Sequence, residues 1–268
     1  VDTKNITVTE YLARWLKDYV VPSKSISTQK AYRAIIKSCL AGQIGGIQLR
    51  NLQRPALQRH FNELAKSGKS TATISLAQKV LHSSLKQAFE DRIIGLNPAS
   101  GLRLAPVVNK ERMAYSAQEV KEILRLAGNH PFRLGFYLLF FLGLRGGEML
   151  GLRGKHIDLQ KGEIQIVEQL NRNGPEVYGP LKTKSSKRTL PISPELAAEI
   201  KAGRIRQKEE LLKAGIAWTE ETPVLSDAIG QPIRHAVFRD EYYGIVSSAG
   251  LQSTGTHAAR HTCFTIPA

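Results

Sequence analysis

The feature that most constrains this chain is the run from Phe132 to Leu144. From Phe136 to Leu144 only Gly143 interrupts apolar and aromatic residues. That stretch is less than half of the ~20 residues a membrane span needs. It is also too apolar for a water-facing helix, so it must form the buried helix of a folded core. A Gly143-Leu144-Arg145-Gly146-Gly147-Glu148 corner follows and opens the next helix. The corner sets one arginine beside free backbone N–H groups and the positive end of a helix dipole, where an anion, most naturally a phosphate, is favoured. Taken alone, the corner fits a surface arginine behind a C-cap glycine equally well.

Composition points to the same kind of ligand. The chain has 268 residues, enough for one large domain or two ordinary ones. Its 38 Lys and Arg against 23 Asp and Glu leave a net charge of +15, which implies an anionic partner, with nucleic acid favoured over a membrane surface. Two cysteines, Cys39 and Cys263, exclude a disulfide framework and a cysteine-type zinc site, and fit a reducing cytosol. The chain opens on Val1 without a signal peptide, so the expectation is an excised piece of a cytoplasmic, nucleoid-associated protein.

In chain order, Thr7-Val8-Thr9-Glu10 has the form of a capping box, followed by Tyr11, Leu12, Trp15 and Leu16 at helical spacing. Ser27 is read as the cap of a second helix carrying Tyr32, Ile35, Ile36 and Leu40. A third helix is predicted from Arg54 to Lys66 and a long fourth one from about Ser70, stopped by Gly95 and Asn97-Pro98. Residues 1–105 therefore read as a helical unit holding 16 basic and 6 acidic residues, a balance of +10 suited to gripping a duplex backbone. Gly68-Lys69-Ser70-Thr71 imitates the end of a phosphate-binding loop, but Glu63 stands where that motif needs a glycine, and Ser70 is read as a helix cap.

Residues 106–115 lack periodicity and read as a linker, so the second domain covers 116–268. Ser116-Ala117-Gln118-Glu119 is another capping box. Ile164, Ile166 and Glu168 alternate as in a half-buried strand, and Thr189 to Ile192 reads as another. Between them Lys182, Lys184, Lys187 and Arg188 fall within seven residues at a tight turn. A long helix follows Ser193-Pro194-Glu195, Pro232 to Ile245 reads as helical, and Thr256 to Thr262 closes the pattern. The fold class is mainly α with a small antiparallel β-sheet, in two domains.

Three fragments taken together resemble the tyrosine recombinases of the phage-integrase family. Gly143-Leu144-Arg145-Gly146-Gly147-Glu148 is similar to their G-L-R-x-G-E box, and Lys182 to Pro191 resembles their β-hairpin lysine segment. His257-Ala258-Ala259-Arg260-His261-Thr262 resembles their H-x-x-R-H-T box, with Ala258-Ala259 where Asp-Leu is usual. The first half is similar to the family's core-binding domain. The resemblance implies a two-domain clamp on double-stranded DNA that cuts and rejoins strands through a 3′-phosphotyrosine link. It implies a homotetramer on paired attachment sites and an excisionase or DNA-bending protein as partner, for integration or excision of a mobile element.

By the same resemblance Arg145 and Arg260 hold the phosphate, where bidentate, permanently charged donors match the charge that builds on the non-bridging oxygens. His257 hydrogen-bonds the phosphate or acts as general acid/base. A lysine protonates the leaving 5′ oxygen, with Lys184 favoured for its position at the turn and Lys182 second. Lys182, Lys187, Arg188 and Lys69 are expected at the DNA backbone. Glu148 is expected to brace its arginine corner, and His261 to stand behind the site or pack a helix. No metal or other cofactor is needed, since the arginines supply the charge. Tyr242 and Tyr243 precede the last box and read as packing or DNA-facing residues. The family's nucleophilic tyrosine lies well downstream of that box, whereas Ala268 follows Arg260 by eight residues. The expectation is a chain cut before that tyrosine, without helical continuation from Phe264. Rival readings are a DNA-binding module without catalysis, Cys263 as a substitute nucleophile, and a nuclease with His257 and His261 as metal ligands.

Overall fold

A computed structural model of the chain describes residues 5–105, 114–172, 177–252 and 255–265, without the side chains of Lys184, Phe264 and Thr265. Two compact units divide it, Val1–Lys110 and Glu111–Ala268, each with its own hydrophobic core. Most of the expected linker, residues 106–113, lies outside the described residues. Its flanks belong to the two units. Arg103 exchanges backbone hydrogen bonds with the Gln58 side chain, at 3.0 and 2.8 Å. Tyr115, expected in the linker, is buried in the second core, and its N–H donates to the Thr262 hydroxyl at 2.8 Å.

Four helical runs build the first unit. Val8–Trp15 starts with the reciprocal Thr7–Glu10 cap and continues through a wider-turned segment, Leu16–Val20, that buries Leu16 and Val20. The second run, Ile26–Ile35 extended by Ile36–Leu40, is capped by Ser25 and not by Ser27. Lys24 is extended, so Ser25 is the first residue able to turn its hydroxyl onto the Thr28 N–H. Arg54–Lys66 and Thr71–Glu90 begin where capping and proline placement predict, and the Ser70 hydroxyl accepts from the Thr73 N–H. The Gly68-Lys69-Ser70 stretch is thus a helix start. Tyr11, Leu12, Leu57, Phe61, Leu81 and Leu85 meet in the core, where the Tyr11 hydroxyl donates to the Ser84 carbonyl at 3.0 Å.

Helices surround two small sheets in the second unit. The helix Ala117–Leu126 carries the expected Ser116–Glu119 box. Arg133–Leu142 is the central helix, with Leu134 through Phe140 all buried, and Pro194–Lys213, His235–Ser248 and Thr256–Thr265 complete the helical part. Tyr242 is fully buried and stacks on Phe136 at 5.7 Å between ring centres, which makes it a core residue. Thr256–Thr265 packs on the central helix through Ala258 and Ala259, whose short side chains permit a close approach. That helix runs through Phe264 and Thr265, contrary to the expectation that it stops before them, because the backbone ladder carries on past its buried anchor Thr262. Residues 266–268 lie outside the described residues.

Two small sheets form among the described residues. Glu163–Ile166 pairs antiparallel with Arg188–Pro191, Ile166 lying opposite Arg188. Glu168–Leu170 pairs antiparallel with Tyr178–Pro180, Glu168 lying opposite Pro180. The two pairs lie in separate sheets, the second two-stranded, and follow one another along an out-and-back path on which the Asn171 N–H donates to the Val177 carbonyl at 2.8 Å. Val167 alone therefore faces the seven residues 181–187, and the lysine segment is an excursion from the returning arm, not the hairpin tip. Ile157–Asp158 completes the three-stranded sheet on its other edge.

The short helix Gly146–Leu150 rests on strand Glu168–Leu170, and Gly151 makes that approach possible. A Cβ there would stand 2.7 Å from the Gln169 Cα and from the Leu170 nitrogen, which are backbone atoms and cannot swing aside. Gly151→Ala is expected to destabilise the fold by about 1–3 kcal/mol in denaturant melts. Gly147→Ala serves as comparison: its nearest neighbours would be at 3.4 Å, ordinary contact, and its change should stay within about 1 kcal/mol.

Candidate active site

The central helix ends at Gly143 in the left-handed conformation, φ 56°, which a residue with a side chain rarely adopts. This turns the Gly143 carbonyl out of the helix and starts the corner that Arg145 caps. Glu148, three residues on, reaches back: the Arg145 N–H donates to its carboxylate at 3.1 Å and Arg145 Nη1 at 2.7 Å. The fold brings two further guanidiniums to the same carboxylate. Arg188 Nη2 donates to Oε2 at 2.8 Å, and Arg260 Nη1 lies 3.9 Å from that oxygen while donating to the Gly143 carbonyl at 2.7 Å. Residues 145 and 260, from opposite ends of the unit's sequence, thus meet around one carboxylate.

Glu148 is only 2% exposed, against 43% for Arg145, 24% for Arg260 and 26% for Arg188. Burial pushes its carboxyl up, but hydrogen bonds from Arg188 and Arg145 outweigh this and hold it below the usual range. At neutral pH it is therefore an anion. Among these four side chains, three positive charges face one negative charge, and an excess of two remains on the more exposed partners. Arg260 feels that excess. Burial and the nearby Arg145 charge lower its pKa, Glu148 opposes this and Arg188 adds to it. A second anion brought to these arginines would relieve their mutual repulsion, which makes the cluster an anion site with its inner face already neutralised.

Further ties fix the helix that carries His257 and Arg260. The Thr262 hydroxyl donates to the Ala258 carbonyl while accepting from Tyr115, and the Cys263 thiol donates to the Phe141 carbonyl at 3.4 Å. Burial pushes the Cys263 thiol up, the wrong direction for a nucleophile. Burial likewise pushes the Tyr242 hydroxyl far up. His257 lies in the first turn, exposed, three residues before Arg260 and so on the same side of the helix. His261 is half-buried. Among the described residues no three His, Cys, Asp or Glu side chains gather where a metal ion could sit.

Lys182 and Lys187 are exposed on the excursion, and Lys184 opens its single helical turn, Lys184–Ser186. Arg188, expected at the DNA backbone, is turned inward onto Glu148 and onto the Ser186 carbonyl at 3.0 Å. Lys69 is exposed in the first unit, between the third and fourth helices. The resemblance implied the Arg145–Glu148 contact, which joins residues three apart on a helix. It carried no sign of Arg188, because that contact depends on the strand register.

Comparison with known proteins identifies the family and the fold. Residues 114–266 match the phage integrase family, and residues 7–65 match the phage integrase N-terminal SAM-like domain. The chain belongs to the phage integrase family, the tyrosine recombinases. A tyrosine recombinase XerC-like protein of Caldanaerobacter subterraneus subsp. tengcongensis is 30% identical, over 99% of this chain and 73% of its own length. The ICEBs1 integrase of Bacillus subtilis is 25% identical over 76% of this chain and 55% of that protein. The fold is similar to that of the Tn1549 transposon integrase in complex with transposon right end DNA, with a TM-score of 0.81, 18% identity, and coverage of 96% of this chain and 85% of that one. It is also similar to a lambda integrase dimer bound to a core site, with a TM-score of 0.75, 17% identity, and coverage of 97% and 70%.

Glu148→Gln keeps the shape and removes the charge that three guanidiniums share. The variant is expected to be less stable by about 3 kcal/mol at neutral pH. Because the folded carboxyl titrates below its unfolded value, its contribution is present above about pH 4.3 and is lost as the pH falls through the folded value. The gap between wild type and variant should therefore narrow in acid, which urea melts at pH 7 and below pH 4 would read.

Proposed function

We propose that this chain is the DNA-cutting part of a site-specific recombinase of a mobile element, acting on phosphodiesters by transesterification. The meeting of Arg145 and Arg260 around Glu148 carries the proposal. Their outward nitrogens would take the two non-bridging oxygens of the scissile phosphate, whose charge rises as phosphorus becomes five-coordinate. His257, on the same helix face as Arg260, would hydrogen-bond one of those oxygens and pass a proton at the attacking or leaving oxygen. The nucleophile would be the hydroxyl of a tyrosine, as the family's chemistry requires. Its oxygen bonds to phosphorus, the bond to the 5′ oxygen breaks, and that oxygen takes a proton from Lys184 or Lys182. Rejoining runs the same steps backwards with a new 5′ hydroxyl.

The exposed cations Lys182, Lys187 and Lys69 would lie along the duplex backbone, with Arg188 adding its charge to the field there. Lambda integrase forms a tetramer on a Holliday junction. This and the family's chemistry, which exchanges strands between two sites, support a homotetramer on paired attachment sites, regulated by an excisionase or DNA-bending protein in the bacterial nucleoid.

The test uses protein made from the complete reading frame and a nicked duplex carrying the element's attachment junction. A covalent protein–DNA adduct on a denaturing gel is expected; binding with no adduct would leave a DNA-binding module without catalysis. Arg145→Ala and Arg260→Ala should each slow adduct formation on the order of 10²- to 10³-fold and hold the duplex within a few-fold of wild type. Replacing Lys182, Lys187 or Lys69 by alanine should weaken binding at all sequences and flatten its logarithmic salt dependence by about 1 each.

A further inference from the structure

The excursion bearing Lys182 and Lys184 is not free to wander. The Ser186 N–H donates to the Thr183 carbonyl at 3.0 Å, and the two hydroxyls of Thr183 and Ser186 share a hydrogen bond of 2.8 Å. Ser186 is buried. Its carbonyl accepts from Arg188 Nη1, and Arg188 Nη2 donates to the carboxylate that holds Arg145. An unbroken line of contacts therefore runs from the lysine turn to the phosphate-binding corner, with one planar guanidinium as its middle link. Two acceptors on separate segments are spanned by two nitrogens of a rigid fork, a task a lysine ammonium cannot copy.

We propose that Arg188 is a positioning residue that sets the lysine turn relative to the arginine corner, so that proton delivery to the leaving 5′ oxygen depends on it. It acts through the Ser186 carbonyl on one side and Glu148 on the other. This rests on the recombinase reading above and deepens it, because it assigns to Arg188 an effect on leaving-group protonation beyond any contact with the DNA backbone.

Replacing the bridging 5′ oxygen by sulfur separates the possibilities. A thiolate, whose conjugate acid has a pKa of about 8.5 in cysteine, departs without a donated proton, whereas an alkoxide does not. The complete protein, Arg188→Ala, Arg188→Lys, Lys184→Ala, Lys182→Ala and Arg145→Ala would be compared on nicked duplexes with oxygen or sulfur at the cut bond. Expected is at least a tenfold loss for Arg188→Ala with oxygen and recovery to within a few-fold of wild type with sulfur. The same pattern is expected for whichever lysine variant identifies the acid, and for Arg188→Lys to a smaller degree; Arg145→Ala should stay slow on both duplexes. Equal loss on both duplexes for the Arg188 variants, or no loss on either, would overturn the assignment. If Arg188→Ala does not bind duplex, Arg188→Lys decides by the same split. Failure of the wild-type protein to form an adduct on either duplex would instead sink the recombinase reading itself.

Discussion

One buried carboxylate organises the second unit. Glu148 lies where the central helix turns into the next, and it accepts from the corner's own backbone, from Arg145 and from a strand residue forty positions later. Without that charge the three guanidiniums would repel one another across a few ångströms, an arrangement that a folded protein sustains only with a counter-ion in place. The cluster's polarity is directional. Its negative member is enclosed and its positive members reach water, so the site offers positive charge outward while being internally balanced.

Everything nearby serves to hold that geometry. The left-handed turn at Gly143 frees a carbonyl for Arg260, and Thr262 and Cys263 pin the same helix to Tyr115 and Phe141. Gly151 lets the corner helix rest directly on a strand backbone. Rigid support of this kind matters for phosphoryl chemistry, in which the protein forms few new bonds and contributes mainly by holding charges where the transition state needs them.

How much of this a reader of the sequence could see depended on range. The caps at Thr7, Ser70, Ser116 and Ser193 were legible because a cap is a contact between residues three apart. Ser25 was missed for Ser27 because either serine suits the chemistry, and only the extended backbone at Lys24 separates them. Glu148 as a brace of Arg145 was implied by the resemblance of the Gly143–Glu148 corner, and helical spacing accounts for the contact. The resemblance likewise implied that Arg260 joins Arg145, but not that Arg188 turns inward onto Glu148, since Arg188 arrives through a shift in strand register. The lysine segment carried a charge pattern but nothing to say that it leaves the ladder on the returning arm, because its partner strand shows no matching break in alternation.

The Arg260–Gly143 contact also bears on synthesis. Chains fold from the N-terminus as they leave the ribosome, and the first unit can close its core before Thr256–Thr265 emerges. The arginine cluster closes later, because Arg260 reaches Glu148 from 115 positions beyond Arg145. A growing polypeptide can thus complete the first unit's own core well before the two guanidiniums meet around Glu148.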